Sequence, residues 1–293
     1  MSIHKFLAII TAVVILILAG VVWFFPPNDD FRTENPFWNG TRETFTYPFS
    51  PLKSLADLPQ GQEQGAVLVL IPYVDFTAGD LEAIKSFVTR GGTLVLADDY
   101  GYGNQVLGYL GLNARFFATP LLDPLINYKN QWVPSIFHLE SSPLTNGIES
   151  LVFNHATALM NVEPAATLAR SSAFSFVDLN NDERKEDEEP FGPFPVISQH
   201  NLKLGQIILI ADPSLFINSM EEMPGNNNLV RNIATLSATQ LFVDQSHLPQ
   251  SSLQQTKNLM ANVRGYLTTS LGTLGLVALA LSLTLMPFWR ERR

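Results

Sequence analysis

The chain has 293 residues, 46% apolar and 15% charged, with a net charge of −9 and no cysteine. That length holds one large domain or two small ones, and the missing cysteine excludes thiol catalysis, disulfides, thiolate zinc and iron–sulfur clusters. Between residues 28 and 264 there are 26 acidic and 14 basic side chains, a net −12 that argues against nucleic acid or anionic lipid as a partner of this stretch.

The apolar excess sits at the two ends. Residues 6–25 (FLAIITAVVILILAGVVWFF) run uncharged for about 20 residues, enough to span a bilayer core. The run is too long for a signal-peptide core and ends in Trp23-Phe24-Phe25, an aromatic interface pattern. It reads as an uncleaved anchor. Residues 266–289 form a second uncharged span, followed by Arg290, Arg292 and Arg293. Basic residues stay cytoplasmic, so Lys5 and the terminal arginines both place their ends inside. The expectation is a two-pass cell-membrane protein with cytoplasmic termini and an extracytoplasmic domain over 28–242, joined to the second span by a linker at 243–264.

Asn28–Leu58 is rich in Pro, Phe, Asn and Thr without a helical period. It reads as an extended stalk that lays Phe37, Trp38, Phe45, Tyr47 and Phe49 on the domain. It also contains the sequon Asn39-Gly40-Thr41, which matters only in a host that glycosylates. Ala66–Ile71 is a continuous apolar run, the mark of a strand buried on both faces. Thr77 then caps a helix with Asp80 three residues on and Leu81, Ile84, Phe87 and Val88 on one face. Thr93–Ala97 is the next buried strand and Asn104–Leu110 a short helix, so the two strands and the helix between them make a right-handed βαβ unit.

Residues 113–146 read as a long ordered loop. Short strands follow at 150–154, 166–169 and 173–177. A strand pair is expected at 194–199 and 206–211, then a helix over 226–241. The fold class is therefore α/β: a flavodoxin-like, largely parallel sheet flanked by helices, between N- and C-terminal transmembrane helices.

Asp98 and Asp99 follow directly from one strand and Asp212 from another. Carboxyl ends of parallel strands are where ligands sit in open α/β sheets, and carboxylates there bind metals, move protons or accept hydrogen bonds from sugars. The same residues also serve as turn caps. Asp98, Asp99, Tyr100, Asn104 and Asp212 are the candidate ligand-binding set. Gly101-x-Gly103 lacks the third glycine of a dinucleotide fingerprint, since position 106 is Val.

In Asp178–Glu189 (DLNNDERKEDEE), Asp178, Asn180, Asp182, Glu186 and Glu189 fall on calcium-loop ligand positions. Glu183 stands where that loop needs Gly, and the flanks are strand-like, which favours a solvated acidic hairpin. The alternative is a structural calcium site; no other cofactor is expected. No G-x-S-x-G or H-E-x-x-H pattern occurs. The histidines His4, His138, His155, His200 and His247 have no ligand spacing, although His138 and His155 are candidates to meet in space. No catalytic residue is assigned.

The stretches VLVLIPYVDFTAGDLEAIKSFVTRGGTLVLADDYGYGN and GQIILIADPSLFIN, with the Asn-rich helix after them, resemble the DUF4350 group of membrane proteins. That group looks related to the class I glutamine amidotransferase and ThuA-type fold. The resemblance covers about residues 28–242 and implies fold, not reaction. An amidotransferase would carry its nucleophilic Cys in the turn that here reads Asp98-Asp99-Tyr100-Gly101, so that chemistry does not transfer. The expected function is a non-catalytic, membrane-anchored binding or scaffold module with membrane or envelope proteins as partners. The alternatives are a carboxylate-dependent hydrolase of a glycan or envelope polymer and an auxiliary subunit of a transport complex.

Overall fold

In the computed structural model, which describes residues 2–46 and 48–290 (283–290 by backbone alone), residues 28–249 form one unit and the two chain ends another. Within 28–249 the strands of the main sheet are, in chain order, Phe49–Leu52 (β1), Val67–Leu70 (β2), Thr93–Ala97 (β3), His138–Leu139 (β4), Thr167–Arg170 (β5), Pro195–Leu202 (β6), Gly205–Ile210 (β7) and Leu241–Asp244 (β8). Their spatial order is β1-β8-β2-β3-β7-β6-β5-β4. The first five are parallel and the last three join them antiparallel. One edge is a strand of only two residues, and the other carries Pro51.

β2 and β3 show no apolar/polar alternation because both faces are covered. All four residues of β2 and all five of β3 are buried. Their register, Leu68 beside Leu94 and Leu94 beside Ile207, stacks branched side chains across three strands. The helix Ala78–Thr89 (α2) opens on the expected capping box, with the Asp80 amide on the Thr77 hydroxyl and the Thr77 amide on the Asp80 carboxylate. It buries Leu81, Ile84, Phe87 and Val88. Gly103–Leu110 (α3) buries Val106, Leu107 and Leu110 and ends at Gly111 in the left-handed region. Asn226–Thr235 (α4) buries Leu229, Val230 and Ile233. The chain steps from β2 to β3 by one crossover and returns from β7 over both strands to β8. Right-handed connections therefore place α2 and α4 on opposite faces of the sheet.

Three expectations are corrected here. The segment 28–58 is not a stalk: Phe31 and Phe45 are buried in the domain core, and β1 pairs in parallel with β8. The helix at 226 ends at Thr235, where the Ser237 hydroxyl on the Gln240 carbonyl closes a turn. Leu241 then begins β8, an apolar run that fits between β1 and β2, so the domain extends to Pro249. The stretch 113–146 contributes two-residue strands at Arg115–Phe116, Leu121–Leu122 and Ser135–Ile136, each paired antiparallel with residues beyond 150.

The unit at the chain ends comprises Ile3–Phe24 (α1), Ser252–Leu267 (α5) and Ser270–Arg290 (α6). Among the described residues α1 is long and apolar enough on its own to cross a membrane. Over its fully described residues 270–282, α6 meets that test only together with α5, as a pair bent by 83°. The expected linker at 243–264 is thus partly strand and mostly helix. Tyr47, Arg292 and Arg293 lie outside the described residues, as does the Arg290 side chain.

Gly205 opens β7 against the α2 end, and a Cβ there would lie 2.2 Å from the Val88 carbonyl oxygen and 2.3 Å from that of Gly92. Gly205→Ala should cost about 1–3 kcal/mol as overpacking. Thermal unfolding of the full chain should show this as about 2–4 °C of Tm per kcal/mol. An unchanged Tm would refute the close backbone approach.

Candidate functional site

Asp98 and Asp212 are both spent on backbone. Asp98 Oδ1 accepts from Tyr100 N at 2.9 Å and Gly101 N at 3.0 Å, and Oδ2 from Gly103 N at 2.6 Å. Gly103 permits this approach, since a Cβ would sit 3.0 Å from that oxygen. Asp212 Oδ1 accepts from Ser214 N at 2.8 Å, and its Oδ2 accepts from Asn154 N at 2.7 Å. Both side chains are fully enclosed. Burial lifts the Asp98 carboxyl to about 6 against the lowering effect of its amide donors. It pushes Asp212 well above the usual carboxylate range, against its own amide donors and with the charge of Asp99 added.

Asp99 points the other way. It lies in a cleft of about 470 Å³ that also takes Tyr73 from the end of β2 and Tyr100 and Ser214 from the turns after β3 and β7. The Tyr73 hydroxyl donates to Asp99 Oδ1 at 3.2 Å. Burial first, and then the charge of Asp98, raise the Asp99 pKa against the Tyr73 hydrogen bond, to about 7. Burial and the neighbouring Asp99 raise Tyr73 as well.

The opposite wall comes from 30–39 and 154–155. Trp38 and Tyr100 are 69% and 66% exposed at the rim. Phe31 stacks on Tyr73 at 5.1 Å, and Tyr100 meets Tyr73 edge-on at 5.6 Å. Asn39 donates to Asp30 and to the Asn28 carbonyl, so the sequon is a folded turn whose Thr41 is buried. His155 packs on Trp132 at 4.7 Å. Phe31 and His155 both adopt positive φ, 58° and 56°, conformations that cost about 1–3 kcal/mol for side-chain-bearing residues and cluster at binding sites. Their amides are held by the Asn39 and Trp132 carbonyls, each at 2.9 Å.

Of the candidate ligand set, the structure brings Asp99 and Tyr100 into the cleft and keeps Asp98 and Asp212 beneath it as caps. Asn104 does not line it. Its amide clamps Phe116, accepting from the Phe116 amide at 2.8 Å and donating to its carbonyl at 3.0 Å. His138 does not join His155: it sits on the edge strand β4 opposite Arg170. Tyr73 was open to the same strand-end reasoning that selected Asp98. Trp38, Asn39 and His155 stand out in the sequence only for other reasons, and nothing local marks Asp30 or Asn154.

The acidic loop closes on its own backbone. Asp178 accepts from the amides of Asp182 and Glu183, and Asp182 from that of Arg184. Glu189 accepts from the amides of Leu179 and Glu186, and Asn180 donates to Glu186 at 3.2 Å. No group of three or more His, Cys, Asp or Glu is placed to hold a metal ion among the described residues.

A second buried polar cluster ties the end of β8 to the start of α2. His247 Nδ1 lies 2.9 Å from Asp244 Oδ2, its Nε2 lies 3.6 Å from Asp80 Oδ2, and its ring stacks on Phe76 at 4.3 Å. Burial lowers the His247 pKa, but the hydrogen bond and charge of Asp244, and then Asp80, outweigh it and hold the pKa above the usual imidazole range.

A mostly parallel α/β domain with an acidic, aromatic-rimmed cleft at its strand ends is the class that fold and site define. The chain belongs to the family described as Domain of unknown function (DUF4350), whose model matches residues 38–234. No curated protein matches the chain. Similar solved structures include the mmIFT52 N-terminal domain, at 12% identity and TM-score 0.42, covering 58% of this chain and 75% of that one. A putative ThuA-like protein from Bacteroides uniformis has 14% identity and TM-score 0.36, with 63% and 74% covered. A beta-galactosidase from Bacillus circulans has 16% identity and TM-score 0.37, with 58% and 22% covered. These likenesses are too distant to carry fold detail or activity across.

The raised pKa values set the pH dependence of stability. A carboxyl that binds its proton more tightly folded than unfolded stabilises fully below the unfolded pKa, near 3.8, and that stabilisation is lost as pH rises through about 7 for Asp99. Asp99→Asn should therefore raise Tm at pH 8 and lose that advantage near pH 4. The His247 contribution is fully present below 6.5 and lost above the raised folded pKa. His247→Gln should therefore lower Tm at pH 6 more than at pH 9. Thermal scans of wild type and both variants at pH 4, 6, 8 and 9 check the two windows, and parallel curves would refute the assignments.

Proposed function

We propose that this chain is a membrane-anchored, non-catalytic binding module. It keeps a degenerate amidotransferase-like, flavodoxin-like scaffold and uses the strand-end cleft to hold a ligand outside the cytoplasm. In this reading the chain passes the membrane twice with both termini cytoplasmic, which the basic residues Lys5, Arg290, Arg292 and Arg293 favour. The observation that carries it is the division of labour among the three strand-end carboxylates: two hold backbone amides, and Asp99 alone of the three opens to the cleft.

The lining selects the ligand class. Carboxylates at 30 and 99, amides at 39 and 154, and the rings of Trp38 and Tyr100 face the space, and no Lys or Arg is among the lining residues. Such a surface suits a polyhydroxylated ligand that is neutral or cationic, as in a glycan or an amino sugar, and disfavours anions. Hydrolysis of a glycan usually takes two carboxyl groups free to act on the substrate; Asp98 and Asp212 are committed to the turns, and the second cleft carboxylate, Asp30, accepts from the Asn39 side-chain amide. Service as a transport-complex subunit is compatible with the same cleft and differs in requiring these particular membrane helices. Calcium is left out of this reading because the loop carboxylates already hold backbone amides.

The test uses the full chain in nanodiscs against a panel of neutral and amino oligosaccharides, with Tyr100→Ala and Asp99→Asn as variants. Loss of the Asp99 charge or of the Tyr100 ring should weaken binding by about tenfold, the equivalent of 1.4 kcal/mol. For an amino sugar, wild-type affinity should rise as pH passes about 7, where Asp99 ionises. Equal binding by wild type and both variants would overturn the cleft as the ligand site.

A further inference from the structure

The helix α5 has no buried residue. Leu259, Met260, Val263, Tyr266 and Leu267 recur along it at helical spacing and form one apolar stripe. Leu259, Val263 and Tyr266 are 63%, 51% and 68% exposed. The opposite face carries Gln254, Asn258 and Gly265, and the helix contains no acidic residue. An isolated amphipathic helix of this kind needs a cover for its apolar side.

Its neighbours in the same unit say what the cover is. Lys257 donates through Nζ to the Phe25 carbonyl, and the Arg264 guanidinium lies over the Trp23 ring, 5.6 Å from its centre. Both contacts fall at the aromatic end of α1, the end that an apolar span of this composition places at the membrane–water boundary. α6 then leaves α5 at 83°. If α6 runs along the bilayer normal, α5 runs along the bilayer surface.

We infer that α5 is an interfacial helix, lying flat in the headgroup–acyl boundary of the bilayer that α1 enters, with Leu259, Val263 and Tyr266 turned into lipid. Helices of this type sink their apolar face about 5–10 Å into the boundary. The acidic balance of residues 28–249 does not oppose this, because α5 carries only Lys257 and Arg264 as charges and both are turned to α1. The inference rests on the membrane-anchored reading above.

The absence of cysteine makes the test direct. Single variants Val263→Cys, Asn258→Cys and Val14→Cys of the full chain, each carrying an environment-sensitive fluorophore, are reconstituted into phosphatidylcholine vesicles. Label at 263 should be quenched by lipids bearing a nitroxide high on the acyl chain and shielded from aqueous iodide. Label at 258 should show the reverse, and label at 14, in the middle of α1, should respond to a nitroxide deep in the bilayer. Iodide reaching 263 as freely as 258, with 14 still lipid-quenched, would overturn the interfacial helix and leave the anchor intact. Iodide reaching 14 would overturn the anchored reading itself, and this inference with it.

Discussion

Everything at the business end of this domain depends on how the buried strand ends dispose of their peptide groups. Where β3 stops, the amides of Tyr100, Gly101 and Gly103 turn inward onto one side chain. Asp98 supplies both oxygens to them. An unsatisfied buried donor costs about 1–3 kcal/mol, so one carboxylate sets the turn, the start of α3 and the direction of the Asp99 side chain together. Asp212 does the equivalent after β7, and by reaching the Asn154 amide it also fixes the bend that brings His155 to the cleft. The caps are structural, and they are what makes the cleft possible.

Placing carboxyl groups this close, with burial as the largest influence on each, has an electrostatic result. Each of the three is harder to ionise than an exposed aspartate. Asp99 is the member whose balance falls near neutrality, because Tyr73 supports its charged form while burial and Asp98 oppose it. The space above it is acidic but not saturated with charge, and aromatic rings bound it on both sides. A cleft of that kind favours many weak hydrogen bonds and stacking over a single strong ion pair.

Much of the scaffold was legible from the chain because its signals are local. The short apolar runs of β2, β3 and β7, bounded by turn residues and rich in Val, Leu and Ile, read as buried strands, and Thr77 with Asp80 marks the start of α2 within four residues. The Asp residues after β3 and β7 announced the strand ends correctly, although which of them would be a cap and which a cleft wall depends on side-chain direction. What stayed hidden is long-range. β1 and β8 are separated by nearly the whole domain, and neither Phe49-Ser-Pro-Leu52 nor the run after α4 looks like sheet without the other. The far wall of the cleft, from Asp30 to Asn39 and at Asn154–His155, is recruited by tertiary contacts and by two positive-φ residues. No periodicity records either.

The two edges of the sheet bear on how this domain meets other molecules. Open sheets invite a passing strand to add itself through main-chain hydrogen bonds. Here one edge offers only His138 and Leu139, too short to template a neighbour, and the other places Pro51 in the middle of a four-residue strand. Neither border can zip up with an extended peptide. A partner must therefore read this domain by its side chains and its concavity, and a crowded environment full of unfolded segments leaves the sheet unextended.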